Sequence, residues 1–139
     1  MEAIEITTSA RSEVVDITGQ VQQAVSRAGI TEGIAVVYSP HTTAGITVNE
    51  HADPDVMADV LATLERLVPR RGPYAHTEGN SDAHVKATLV GPSVCVPIEH
   101  GRLALGTWQG VFFCEFDGPR SRRAFVQLAA ERGDRGSAR

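Results

Sequence analysis

The feature that most limits the fold is a helix bracketed by two prolines. Val56, Val60, Leu61, Leu64, Leu67 and Val68 recur at helical spacing, so their side chains share one face. Asp53 offers a carboxylate to the free N–H groups of the first turn, and Pro54 suits the first helical position. Pro69 stops the run. A second helical face comes from Val21, Ala24, Val25 and Ala28, with Asp16 or Thr18 as cap and Gly29 near the end.

Most other apolar residues fall in runs too short for a helix. Residues 4–8 alternate apolar and polar, a strand signal. Residues 34–38 are continuously apolar, which reads as a strand buried on both faces. Beyond Pro40, Ala44, Ile46 and Val48 share one face. If the segment is extended, His41, Thr43, Gly45, Thr47 and Asn49 share the other, as a pocket lining or a solvent face. Strands follow around Val94 and Ile98, Leu103 and Leu105, residues 111–116 and residues 124–128. Residues 86–91 read as a short helix or a strand, and the helix is favoured because Ser81 or Asp82 can cap its turn. The expected fold is α+β: one β-rich, sandwich-like domain over residues 1–130 with two main helices, followed by a flexible tail over residues 131–139.

Composition narrows the function. The 139 residues carry a net charge of −4, which argues against a nucleic-acid partner. No apolar run approaches the length of a membrane span, and the acidic, alternating N-terminus is unlike a signal peptide. Cys95 and Cys114 lie in apolar runs without metal-site spacing, and read as buried, reduced residues of a cytoplasmic protein.

Chemistry concentrates in Tyr74-Ala75-His76-Thr77-Glu78-Gly79-Asn80-Ser81-Asp82-Ala83-His84-Val85-Lys86. So few apolar side chains gain little from burial, as in a loop that carries a site or one that is simply solvated. His76 and His84 flank this run, and His41 follows the break at Pro40. Three imidazoles would suit a divalent ion such as zinc and leave a position for water or substrate. Glu78 and Asp82 are candidates to orient a histidine or act as general base; each can instead be solvated or cap a turn. Asn80 and Ser81 offer short polar groups to an anion, and Lys86 and Arg122 offer charge. Arg122 and Arg123 are adjacent, so on a strand only one faces a given site. Trp108, in Gly106-Thr107-Trp108-Gln109-Gly110, can stack on an aromatic ring or fill an interface.

Taken together these stretches resemble the YjbQ family, whose members carry the name secondary thiamine-phosphate synthase. The matching residues are Ser39-Pro40-His41-Thr42-Thr43-Ala44, Asn49-Glu50, Asp53-Pro54, His76, Glu78-Gly79-Asn80-Ser81, His84-Val85-Lys86, Gly101-Arg102, Gly106-Thr107-Trp108-Gln109-Gly110, Glu115 and Ser121-Arg122-Arg123. The resemblance implies a homotrimer with a polar cavity near the subunit boundaries. It implies that His41, His76 and His84 hold a divalent metal ion, zinc or magnesium. Glu78, Asp82 and Lys86 are then the catalytic candidates, with Thr42, Thr43, Asn80, Ser81, Trp108, Gln109 and Arg122 toward a phosphorylated small-molecule substrate. The implied reaction joins an aminopyrimidine methyl diphosphate to a thiazole phosphate and releases pyrophosphate. Two alternatives stay open: a metal-dependent hydrolase of a phosphorylated small molecule, and a non-catalytic trimer that binds an anion or metabolite.

Overall fold

The computed structural model describes residues 1–133. Eight strands and three helices follow the order β1 (Glu2–Thr7), β2 (Glu13–Asp16), α1 (Thr18–Ala28), β3 (Gly33–Tyr38), β4 (Ala44–Glu50), α2 (Pro54–Leu67), α3 (Ser81–Val90), β5 (Ser93–Glu99), β6 (Arg102–Leu103), β7 (Gln109–Glu115) and β8 (Ser121–Ala130). Residues 131–133 lack regular structure, and residues 134–139 of the expected tail lie outside the described residues.

The strands form two antiparallel sheets, one in the order β1-β8-β3-β5-β6 and the other β2-β7-β4. Their facing sides make the main core. Ile4, Ile6, Val37, Val96, Ala124 and Val126 of the large sheet meet Ala44, Ile46, Val111 and Phe113 of the small one, with Ile17, Val21 and Ala24 of the α1 region closing the edge. The far side of the small sheet is covered by α2 and α3: Phe112, Cys114 and Phe116 pack with Met57, Ala83 and Ala87. The sandwich expectation therefore holds, with a helical layer added on one side.

This layering corrects the reading of β3. Its Ala35 and Val37 are buried, but Ile34 is 41% exposed and Tyr38 46% exposed. The strand with both faces covered is β7, the middle strand of the small sheet, where Val111 to Glu115 are all buried. A continuous apolar run fits either arrangement, because it does not say what lies on each side. No helix among the described residues covers the outer face of the large sheet. There Ile34 aligns with Pro97 and Ala129, Val36 with Cys95 and Gln127, and Tyr38 with Ser93 and Phe125. Cys95 is accordingly exposed, against expectation, while Cys114 is buried and its thiol pushed up to about 12 by that burial.

The strand after Pro40 starts at Ala44, three residues later than the alternation suggests. Residues 39–43 form a tight turn. Ser39 Oγ donates to the Ala44 carbonyl at 3.2 Å and accepts the His41 N–H at 3.3 Å. Of the residues expected on the second face, Gly45 is covered by the end of α3, while His41 and Thr43 precede the strand and line a cleft. A Cβ on Gly45 would sit 2.7 Å from the Gly91 carbonyl oxygen and 3.0 Å from Val90 Cγ1. The third helix, α3, spans Ser81–Val90 and not the expected 86–91, and its cap residue is Asn80, one position before the expected Ser81. Expected caps also shift at α1, where Ile17 is the cap residue. Asp16 still serves that turn by accepting from the Thr18 N–H and hydroxyl.

Candidate functional site

Three chain segments meet at a polar cleft of about 410 Å³: the turn after β3, the start of α3 and the loop entering β8. Its wall is made by Pro40, His41, Thr42, Thr43, Glu78, Asn80, His84, Asp117, Arg120 and Arg122. Seven of the candidates from the sequence are here: His41, Thr42, Thr43, Glu78, Asn80, His84 and Arg122. Asp117 and Arg120 were missed. They sit in Asp117-Gly118-Pro119-Arg120, a turn signature that marks a loop but not what the loop adjoins.

Behind the wall lies a buried ion pair. Arg122 Nε donates to Glu115 Oε1 at 2.8 Å, and its Nη2 contacts Glu115 Oε2 and donates to Thr43 Oγ1 at 2.8 Å. Glu115 also accepts from Thr8 Oγ1 at 2.8 Å and from the Phe116 and Asp117 N–H groups, both at 3.1 Å. Burial alone would raise the Glu115 carboxyl. The Arg122 guanidinium and these donors outweigh it and hold the group below the usual range. Arg122 points inward and Arg123 is exposed, as strand alternation requires. Arg122 Nη1 has no hydrogen-bond partner among the described residues, so this arginine retains donors for the cleft it lines.

The three histidines are not arranged as one ligand set. His41 Nε2 accepts the Arg123 main-chain N–H at 3.0 Å. His76 lines a neighbouring hollow with Tyr74, Ala75, Ser81, His84 and Val85. His84 borders both spaces, its ring edge-on to that of His76 with centroids 5.4 Å apart. His76 Nε2 lies 3.0 Å from Asn80 Oδ1, and Asn80 Nδ2 donates to Asp117 Oδ2 at 2.9 Å. Asp117 also accepts from Arg120 Nη2 at 2.9 Å. Because a carboxylate only accepts, the amide oxygen of Asn80 must face His76, and the imidazole must donate through Nε2. The His76–Asn80–Asp117–Arg120 chain thus spans the loop and leaves His76 Nδ1 as the nitrogen with a free lone pair. Among the described residues no group of three His, Cys, Asp or Glu side chains is spaced to hold a metal ion. A three-histidine centre does not fit this arrangement, since the one lone pair of neutral His41 is already engaged.

Two of the catalytic candidates move out of the site. Asp82 and Lys86 are 0% and 1% exposed and belong to a second ion cluster between α2, α3 and the loop before β2. Asp82 accepts both Arg11 Nη groups at 3.1 and 2.9 Å and Lys86 Nζ at 2.8 Å. Lys86 Nζ also donates to Glu65 Oε2 at 2.6 Å. Burial would raise the Asp82 carboxyl, but Arg11 and Lys86 hold it down at about 2. These are fixed charges that dock α3, and neither residue lines the cleft. Trp108 and Gln109 are also elsewhere. In the ladder of β4 with β7, Gln109 faces Glu50 whereas the cleft end pairs Ala44 with Glu115, so the tryptophan loop lies at the opposite end. Trp108 is 63% exposed. No helix among the described residues is long and apolar enough to cross a membrane.

The comparisons with known proteins agree with this fold over nearly its whole length. A family model described as UPF0047 protein YjbQ-like matches residues 2–131. A UPF0047 protein of Methanocaldococcus jannaschii is 50% identical over 128 residues, covering 92% of this chain and 93% of that protein. The UPF0047 protein YugU of Bacillus subtilis is 48% identical over 129 residues, covering 92% and 98%. The crystal structure of an uncharacterized conserved YjbQ/UPF0047 protein from Clostridium acetobutylicum superimposes with a TM-score of 0.92 at 51% identity, covering 93% of this chain and all of that one. A hypothetical protein from Aeropyrum pernix superimposes with a TM-score of 0.89 at 39% identity, covering 94% and 98%. Sequence, family model and fold converge, and the chain belongs to the YjbQ-like UPF0047 family.

Proposed function

We propose that the polar cleft is the working site of an enzyme acting on a phosphorylated small molecule, of the thiamine-phosphate synthase type. The observation that carries this reading is the make-up of the wall. Arg120, Arg122, His41, Thr42 and Asn80 bring donors together from three segments, beside the carboxylates Glu78 and Asp117, in a space the size of a small metabolite with almost no apolar lining. Such a wall suits oxyanions.

In the proposed reaction the bond between the pyrimidine methylene carbon and the diphosphate oxygen breaks. Pyrophosphate leaves with the electron pair, and the thiazole ring nitrogen supplies the pair for the new C–N bond. The task of this chain is to hold the diphosphate and balance the charge that develops on it, for which fixed guanidinium and N–H donors are suited. The resemblance implies a divalent ion as a further source of positive charge. His76 and His84 keep ring nitrogens free for one but supply only two ligands, so no step is assigned to it.

The same reading includes a homotrimer in the cytoplasm. Its support is the outer face of the large sheet, where Ile34, Val36, Tyr38, Cys95, Pro97 and Phe125 present apolar surface. A cavity near subunit boundaries would also let Trp108 of one copy reach the cleft of another. The test is incubation with the two precursors and analysis by mass spectrometry. Thiamine phosphate together with pyrophosphate supports the reading. Inorganic phosphate released from a phosphate ester would favour the hydrolase, and the pair of an exposed His76 and a half-buried His84 is the observation on its side. Binding without turnover would leave an anion-binding trimer.

A further inference from the structure

His41 is the one histidine in the cleft whose proton position is set by the main chain. The register of β3 against β8 pairs Tyr38 with Phe125. Two residues further, the ladder would pair Pro40 with Arg123, but β3 has ended and that side of β8 is open. The His41 ring fills the gap. Its Nε2 takes the Arg123 N–H that a longer β3 would have taken.

A main-chain N–H can only donate, so Nε2 must carry a lone pair and no proton. In the neutral ring the proton is then on Nδ1, which has no hydrogen-bond partner among the described residues. The charged groups around the ring favour the neutral form on balance. Burial and the Arg122 guanidinium pull the imidazole below its usual value, Arg120 adds to this, and Glu115 opposes it. Edge-on contact with Phe113, at a centroid distance of 6.2 Å, helps hold the ring's orientation.

We infer that His41 serves the cleft as a neutral hydrogen-bond donor, through Nδ1–H, to an oxyanion of the bound molecule, and is not a metal ligand. This rests on the reading of the cleft as a phosphate site. It assigns the residue a role beside Arg122 and separates it from the His76–His84 pair, which lines the neighbouring hollow.

The test combines NMR with two titrations on the full chain. Nitrogen-15 spectra of histidine-labelled protein at neutral pH should show His41 protonated on Nδ1. Pyrophosphate should bind the wild type and bind His41→Ala about tenfold or more weakly, the loss of one hydrogen bond to a charged group. Asparagine places an N–H near the Nδ1 position, so His41→Asn should recover most of the affinity. Zinc titration should give the same affinity for wild type and His41→Ala. A proton on Nε2, loss of zinc in His41→Ala, or unchanged pyrophosphate affinity in His41→Ala would each overturn the inference while the phosphate cleft stands. A wild type that binds neither phosphate nor pyrophosphate would remove the phosphate reading itself, and with it the donor role.

Discussion

Arg122 and Glu115 close a two-pronged ion pair behind the cleft, and the same guanidinium that neutralises the buried carboxylate also lines the cleft wall. Substrate charge would therefore meet an arginine already held in place by a second carboxylate contact, two strands and Thr43. Breaking such a pair leaves an uncompensated charge inside. We expect Glu115→Ala to lower stability by about 3–5 kcal/mol. Urea unfolding of the variant checks this, and a loss below about 1 kcal/mol would contradict it.

The depressed carboxyls Asp82 and Glu115 are expected to make the fold lose stability in acid. A carboxyl whose folded value lies below its unfolded one adds stability above the unfolded value and loses it as pH falls through the folded one. For Asp82 that window runs from about 4 down to about 2, and the contribution at neutral pH is roughly 2 kcal/mol. Thermal melts between pH 5 and pH 2 should show a steep fall in Tm. In Asp82→Asn the fall should be shallower, from a lower starting point.

Lys86 is expected to act on stability and not on chemistry. Replacing it by methionine keeps the aliphatic stem and strands Asp82 with Arg11 alone. Lys86→Met should unfold at clearly lower urea, with pyrophosphate affinity per folded molecule within about threefold of wild type. A large loss of affinity in a fully folded variant would return Lys86 to the site.

Asp53 caps α2 by accepting the Asp55 N–H at 2.9 Å, far from the cleft. Asp53→Ala should cost about 1 kcal/mol and leave ligand binding unchanged. This variant is a control for the effect of lost stability alone.

The outer sheet face predicts assembly. Light scattering should return three copies per particle. Ile34→Asp and Tyr38→Glu, each at a position already exposed in one chain, should yield smaller particles with an intact fold by circular dichroism. A wild-type monomer at micromolar concentration would refute the assembly.

Local chemistry made much of this fold legible. Both long helices carry their caps or stop signals in the sequence, as Asp53, Pro54, Pro69 and Gly29 show. The alternation of Ile4 and Ile6 placed β1 correctly, and the polar cluster pointed to Asn80, His84 and Glu78. Less legible were relationships that depend on what packs outside a segment. Residues 34–38 look like an interior strand because nothing in their order reports an uncovered face. Asp82 and Lys86 read as site residues because polarity alone does not distinguish a cleft from a buried ion cluster, and the partners Arg11 and Glu65 are distant in sequence. Asp117 and Arg120 escaped because only the tertiary fold brings their turn beside Asn80.

The bond from the Arg123 amide to His41 has a consequence for how this protein tolerates change. The donor belongs to the backbone, so nineteen of the twenty amino acids supply it and only proline withholds it. A saturation library at position 123 should therefore keep the His41 proton where it is almost regardless of side chain. By contrast, inserting or deleting one residue in β8 would present a neighbouring amide and rotate the adjoining side chains to the opposite face. The property is inherited through alignment of the strand and not through the identity of any residue in it.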